Sequence, residues 1–256
     1  MNLPYNNASI FYEIQGTGPA LILLHGFLES SSIWNSTVEE FKKTHTIITV
    51  DLPGHGKSDV VAKTHEMELM AIIISEILIN HNINTASFIG HSMGGYVALA
   101  FTELFPNKVR KLILLNSSTY SDSEDRKKNR DRAIKFIKKQ KSAIISMAIS
   151  NLFTQENRVM FASEILNLKN EALNFPSEGI IANIKGMRDR KDRTSVLKNF
   201  GGSKLIITGK MDMIVPISVS EEISEATNTP LKTINGGHMS WITNRKEMLN
   251  AMRFID

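Results

Sequence analysis

The fold is decided by Ser87-Phe88-Ile89-Gly90-His91-Ser92-Met93-Gly94-Gly95-Tyr96-Val97. A short apolar run ends at Gly90, and a helical pattern starts at Met93 and is stopped by Pro106. Ser92 sits at the junction, with a glycine two residues to either side. That is the G-x-S-x-G spacing, in the strand-to-helix context that gives it meaning. Such a turn is tight enough that side chains at the glycine positions would clash. The serine oxygen is lifted above the sheet edge. The first amides and the positive dipole end of the following helix point at the same spot.

Outward from this turn, short apolar runs alternate with helical patterns, the mark of a mostly parallel sheet covered by helices. Upstream, 9–14, 20–24 and 46–50 read as strands, with helices over 31–43 and 66–80. Downstream, 111–115, 204–208 and 231–234 read as strands, with helices over 218–226 and from about 244. Between 119 and 197 the alternation stops, and only helical segments rich in Lys, Arg, Met, Ile and Phe remain. The expectation is an α/β fold: a mostly parallel twisted sheet with flanking helices, its core drawn from 1–118 and 203–256. A helical cap is inserted over 119–202.

A serine hydroxyl becomes a useful nucleophile when a base takes its proton and an acid fixes that base in one tautomer. Gly236-Gly237-His238 follows the last strand, where the glycines let the chain turn the imidazole toward Ser92. Gly209-Lys210-Met211-Asp212 follows strand 204–208, at the carboxyl ends of the strands where open α/β sheets build sites. Asp51 also follows a strand but opens a Pro/Gly turn, so Asp212 is the better candidate. The chain order Ser92, Asp212, His238 is the one this turn uses on such a sheet. His25-Gly26-Phe27-Leu28 follows the buried strand 20–24. Its Phe27 N–H and the Met93 N–H are the expected donors to an oxyanion. His25 is expected to tie that loop in place.

Composition narrows the alternatives. Hydrophobic residues make up 42% and charged residues 22%, a soluble globular balance. The net charge of +4 is local: residues 124–141 hold nine Lys/Arg against three Asp/Glu, so the rest of the chain nets about −2. This reads as a solvated helix face, and a nucleic-acid partner is not expected. With no cysteine there is no disulfide, thiolate nucleophile or Cys-based metal site, and the seven histidines show no metal-ligand spacing. No apolar run has the length of a membrane span. Residues 1–8 lack the pattern of a signal peptide, so a cytoplasmic location is expected.

These motifs together resemble the α/β-hydrolase superfamily. The segment Asp51-Leu52-Pro53-Gly54-His55-Gly56-Lys57-Ser58 looks like the DxPGHGxS loop of its small bacterial members. With HGFL at 25–28, GHSMGG at 90–95 and the G-x-x-D and GGH endings, the resemblance covers roughly 9–118 and 203–256. It implies a cofactor-free hydrolysis of small to medium apolar carboxylic esters through an acyl-enzyme on Ser92, by a monomer or homodimer.

Ser92 argues against the dehalogenases and epoxide hydrolases of this superfamily, which use a carboxylate nucleophile. Leu28 stands where perhydrolase-like members carry Pro. HGFL is similar to the loop of the menaquinone-pathway lyase that eliminates pyruvate, but Tyr96 stands where those lyases carry Arg. That lyase and a non-catalytic binding member are the alternatives to the esterase. Leu28, His91, Tyr96 and Trp241 are the expected substrate-binding residues. Trp34 and the cap residues Met147, Phe153, Met160, Phe161, Phe175 and Met187 are further pocket candidates. Arg188, Arg190 and Arg193, interleaved with Asp189 and Asp192, are expected to form a solvated, self-paired run.

Overall fold

Strands β3 (Ala20–Leu24) and β5 (Ala86–His91) are buried along their whole length, as continuous apolar runs in the middle of a parallel sheet must be. A computed structural model, which describes residues 1–256, places them side by side in an eight-stranded sheet. The other strands are β1 (Asn2–Tyr5), β2 (Ala8–Gln15), β4 (Thr46–Val50), β6 (Val109–Leu115), β7 (Ser203–Gly209) and β8 (Leu231–Ile234). Their spatial order is β1-β2-β4-β3-β5-β6-β7-β8. The β1–β2 and β2–β4 pairs are antiparallel and all others parallel. From β3 the chain moves outward to β4, then returns to β3's other flank as β5. The order reverses there, and the carboxyl ends of β3 and β5 border the crevice in which such sheets bind ligands.

Side-chain alternation along the strands splits the core into two layers. Ile22, Leu24, Ile48, Phe88, Leu112 and Leu114 face α2 (Met67–Asn80) and α3 (Met93–Leu104). Leu21, Leu23, Ile47, Ile89 and Ile113 face Trp34, α1 (Asn35–Phe41) and α11 (Arg245–Met252). Trp34 therefore belongs to the smaller core layer and is fully buried; it is not a pocket residue.

Between β6 and β7 the chain forms a helical insertion: α4 (Glu124–Ser150), α5 (Gln155–Met160), α6 (Ala162–Asn174), α7 (Ser177–Asp189) and α8 (Thr194–Asn199). α4 is broken at Gln140, whose φ of −144° and ψ of 52° are non-helical. α9 (Ile217–Thr227) and α10 (Ser240–Thr243) complete the elements. β1 is unpredicted by the sequence reading, because Asn2 and Pro4 leave it without an apolar alternation; pairing with β2 through a turn at Asn6 makes it a strand. No helix is long and apolar enough to cross a membrane.

The expected solvated arginine run is corrected. Only Arg188 is paired as foreseen, to Asp189 and Asp131 at the surface. Arg190 is buried against Asp122 at 2.7 Å, and Arg193 against Glu68 at 2.7 Å and Glu103 at 2.9 Å. Their acidic partners lie far off in sequence, so local charge interleaving does not reveal the burial.

Candidate active site

Ser92 has φ 50° and ψ −115°, a conformation that L side chains rarely adopt. Its neighbours force this. A Cβ on Gly90 would lie 2.4 Å from the Gly94 carbonyl oxygen, and one on Gly94 would lie 2.2 Å from that of Leu24. Both positions exclude a side chain, so β5 and α3 meet closely enough to lift Ser92. The Ser92 N–H donates to the Leu115 carbonyl at 3.0 Å, and Ser117 Oγ donates to the Ser92 carbonyl at 2.8 Å. The turn is thus pinned to the end of β6.

His238 Nε2 stands 3.0 Å from Ser92 Oγ, and His238 Nδ1 stands 2.8 Å from Asp212 Oδ2. Asp212 is almost fully buried and surrounded by donors. Oδ1 accepts the Ile214 and Val215 N–H groups at 2.8 and 2.9 Å, and Oδ2 also accepts Asn116 Nδ2 at 2.8 Å. Burial alone raises the Asp212 carboxyl, but the facing His238 and these hydrogen bonds outweigh it and hold its pKa below the ordinary carboxylate value. Nδ1 of His238 donates to that carboxylate, which leaves Nε2 as an acceptor facing the serine hydroxyl.

In the loop after β3, the Gly26 N–H is taken by Glu29 Oε2 at 2.6 Å and the Leu28 N–H by His55 Nε2 at 3.1 Å. The Phe27 N–H between them meets no protein acceptor, and neither does the Met93 N–H at the start of α3. Leu28 has φ 63°. His25 donates from Nδ1 to the Gly26 carbonyl and accepts the Leu52 N–H at Nε2, which ties this loop to the one after β4. Asp51, in that second loop, accepts the Ser31 and Lys57 N–H groups and makes no contact with His238. Phe27 and Phe175 pack edge-on against His55, with centroids 5.8 and 5.3 Å away.

The other candidates are distributed unevenly. Leu28 is buried in the larger core layer, and His91 is fully buried with both ring nitrogens engaged. Tyr96 is nearly buried one turn along α3, with the Arg190 guanidinium 4.2 Å above its ring. Trp241 is half-buried, and its Nε1 has no protein partner. Phe153, Phe175 and Met187 are buried in the same core, which Phe161 joins at its edge. Met147 and Met160 point to solvent and leave the list of pocket candidates. A cavity of about 200 Å³ lies beside the Asp212 loop, lined by Ser118, Tyr120, Arg126, Arg190 and Val215 among others. Glu29 and Asn116 were missed by the sequence reading, since single polar residues after a strand carry no periodic signal.

A family model described as the alpha/beta hydrolase fold matches residues 19–244. The chain belongs to the α/β-hydrolase fold family. It is similar to a 2-hydroxy-6-oxononadienedioate/2-hydroxy-6-oxononatrienedioate hydrolase of Burkholderia vietnamiensis, at 30% identity over 227 residues, covering 82% of this chain and 77% of the relative. An uncharacterized protein of Mycobacterium tuberculosis is 35% identical over 106 residues, 41% of this α/β-hydrolase and only 31% of the relative. The structure is similar to that of a thermophilic esterase from Thermogutta terrifontis (malate bound). The TM-score is 0.91 at 27% identity, covering 96% of this chain and 92% of that one.

Proposed function

We propose that this α/β-hydrolase cleaves carboxylic esters of small or medium size through an acyl-enzyme on Ser92. The observation that carries this reading is the continuous bonding from Asp212 through His238 to Ser92 Oγ, at 2.8 and 3.0 Å. In the proposed first step Ser92 Oγ attacks the ester carbonyl carbon and His238 Nε2 takes its proton. The Phe27 and Met93 N–H groups receive the developing oxyanion. The alkoxide leaves with the proton from His238. Water, activated by the same imidazole, then releases the acid. The similarity to the Thermogutta terrifontis esterase supports the ester class. The insertion α4–α8 acts as the cap over the crevice and sets the size of the acyl group.

A second reading has one observation in its favour. Arg190, paired with Asp122, lies over the Tyr96 ring one turn from Ser92 and lines the cavity beside the Asp212 loop. A substrate bearing carboxylates, like the dienedioate named for the Burkholderia vietnamiensis relative, would meet that charge.

The test is labelling with a fluorophosphonate probe, followed by kcat/KM on p-nitrophenyl esters of graded chain length, with Ser92→Ala as control. The expected outcome is one adduct on Ser92 and ester turnover lost in the variant. No adduct, or an adduct on Ser117, overturns the assignment. Turnover of a dienedioate faster than any ester by orders of magnitude replaces the ester reading with the second.

A further inference from the structure

Glu29, together with His91, connects the three loops that carry the proposed chemistry. It lies in the loop after β3, three residues past Gly26, and is 2% exposed. Its Oε2 accepts the Gly26 N–H at 2.6 Å and stands 2.9 Å from His91 Nδ1. His91 is the residue before Ser92 and is 0% exposed. Its Nε2 stands 3.0 Å from the His238 carbonyl oxygen, and the two imidazole rings are 5.0 Å apart. One carboxylate and one imidazole therefore link the oxyanion loop, the serine turn and the loop of the candidate base. A Cβ on Gly26 would lie 2.7 Å from Glu29 Oε2 and 3.0 Å from His91 Nδ1, so the pair also accounts for the glycine of the HGFL motif.

The chemistry of the contacts fixes the state of the ring. A carboxylate oxygen and a peptide carbonyl oxygen both accept, so His91 must donate from both nitrogens. Burial opposes that charge, but the Glu29 carboxylate, its hydrogen bond and the His238 carbonyl outweigh it and hold the His91 pKa above the ordinary value. Burial likewise opposes the Glu29 charge, and His91 overcomes it, which lowers the Glu29 pKa. The other titratable groups near the ring are His25, whose charge would act on Glu29, and Asp212 and His238 across the crevice. Stability alone is a poor reason for such a pair, since well-packed apolar residues in its place are often as stable or more so.

We propose that Glu29 and His91 are positioning residues, an ion pair that holds the His25–Gly26 peptide, and with it the loop carrying Phe27, in one frame with the His238 backbone and so sets the reach from His238 Nε2 to Ser92 Oγ. The proposal rests on the hydrolase reading above. Glu29→Gln is the decisive variant. Its amide oxygen still accepts from Gly26, but a neutral partner leaves His91 with one proton. One of the two His91 bonds is then lost, and a ring lone pair faces an oxygen.

The expected result is a fall in kcat of about ten- to a hundredfold with KM within about threefold, the scale of an ångström-sized misplacement. The pH profile of kcat/KM departs from that of the parent, because the charge pair beside the crevice is gone. A double variant with His91→Gln costs no more than the worse single variant, since the two act as a unit. A Glu29→Gln protein that folds and keeps the parent kcat, KM and pH profile overturns the proposal.

¹⁵N-histidine spectra of the unsubstituted protein need no variant to fold. Two N–H protons on His91 at pH 7 that shift when Ser92 is phosphonylated support the proposal. A single N–H, or signals unmoved by phosphonylation, refutes it. Absence of Ser92 labelling in the parent would count against the hydrolase reading and not against the ion pair, which the His91 proton count still tests.

Discussion

At position 212 an amide in place of the carboxylate would reverse the bond that decides the His238 tautomer. Asp212 Oδ2 faces His238 Nδ1 at 2.8 Å while also accepting from Asn116. In Asp212→Asn an NH₂ group turned to Nδ1 favours the tautomer with the proton on Nε2, which can no longer accept from Ser92. The expected loss in kcat is about 10⁴, as in a protease triad with the same substitution. The chain still folds, because most of the surrounding contacts survive. Steady-state kinetics beside circular dichroism check both parts, and activity within a few-fold of the parent would assign the acid's role elsewhere. The residues of this line were readable because each sits beside a glycine turn after an apolar run. Glu29 and Asn116 have no such frame, and only the folding of distant loops onto one crevice gives them partners.

Among the elements, burial decides which ion pairs matter. Asp122 has a fully buried carboxylate that bridges Arg130 on α4, at 2.6 Å, and Arg190 just past α7, at 2.7 Å. It fastens the first and fourth helices of the insertion to each other next to Tyr96. Asp131 also holds an arginine at 2.6 Å, but is half exposed. Asp122→Ala leaves Arg190 buried without its anion and is expected to cost about 3–5 kcal/mol. Asp131→Ala should cost less than about 1 kcal/mol. Urea denaturation of the two variants measures the contrast, and equal losses would show that burial is not what separates these pairs. The strands were legible because a buried parallel strand is a continuous apolar run whatever surrounds it. The insertion was legible only as helices. Its charged residues are sorted into core and surface by partners on α2, α3 and the loop after β6, and no local pattern encodes that sorting.

For the molecule as a whole, the loops above the sheet store neutral histidines out of water. Burial pushes His65 down to about 4, against its hydrogen bonding with the Asn183 side chain and the Pro53 carbonyl oxygen. Burial and the neighbouring His25 drive His55 well below its ordinary value, and burial lowers His25 as well. Each has a folded pKa below its unfolded value of about 6.5, so the unfolded chain binds the extra protons. The stability these groups lend is fully present above about pH 6.5 and is lost as the pH falls toward the folded values. His91 runs the other way: its raised pKa adds stability below about pH 6.5, which is lost as the pH rises through the folded value. One group opposes three, so the balance is acid-labile. His65 alone accounts for roughly 3 kcal/mol between its folded and unfolded values. The lowered carboxyls of Glu29, Glu68, Asp122 and Asp212 act in a lower window, below about pH 5, where the unfolded carboxylates protonate. Urea midpoints should therefore already drop between about pH 7 and 5, ahead of the carboxylate effect, and His65→Gln should flatten that drop. A midpoint that holds constant down to about pH 5 would mean that these rings are not kept neutral by the fold.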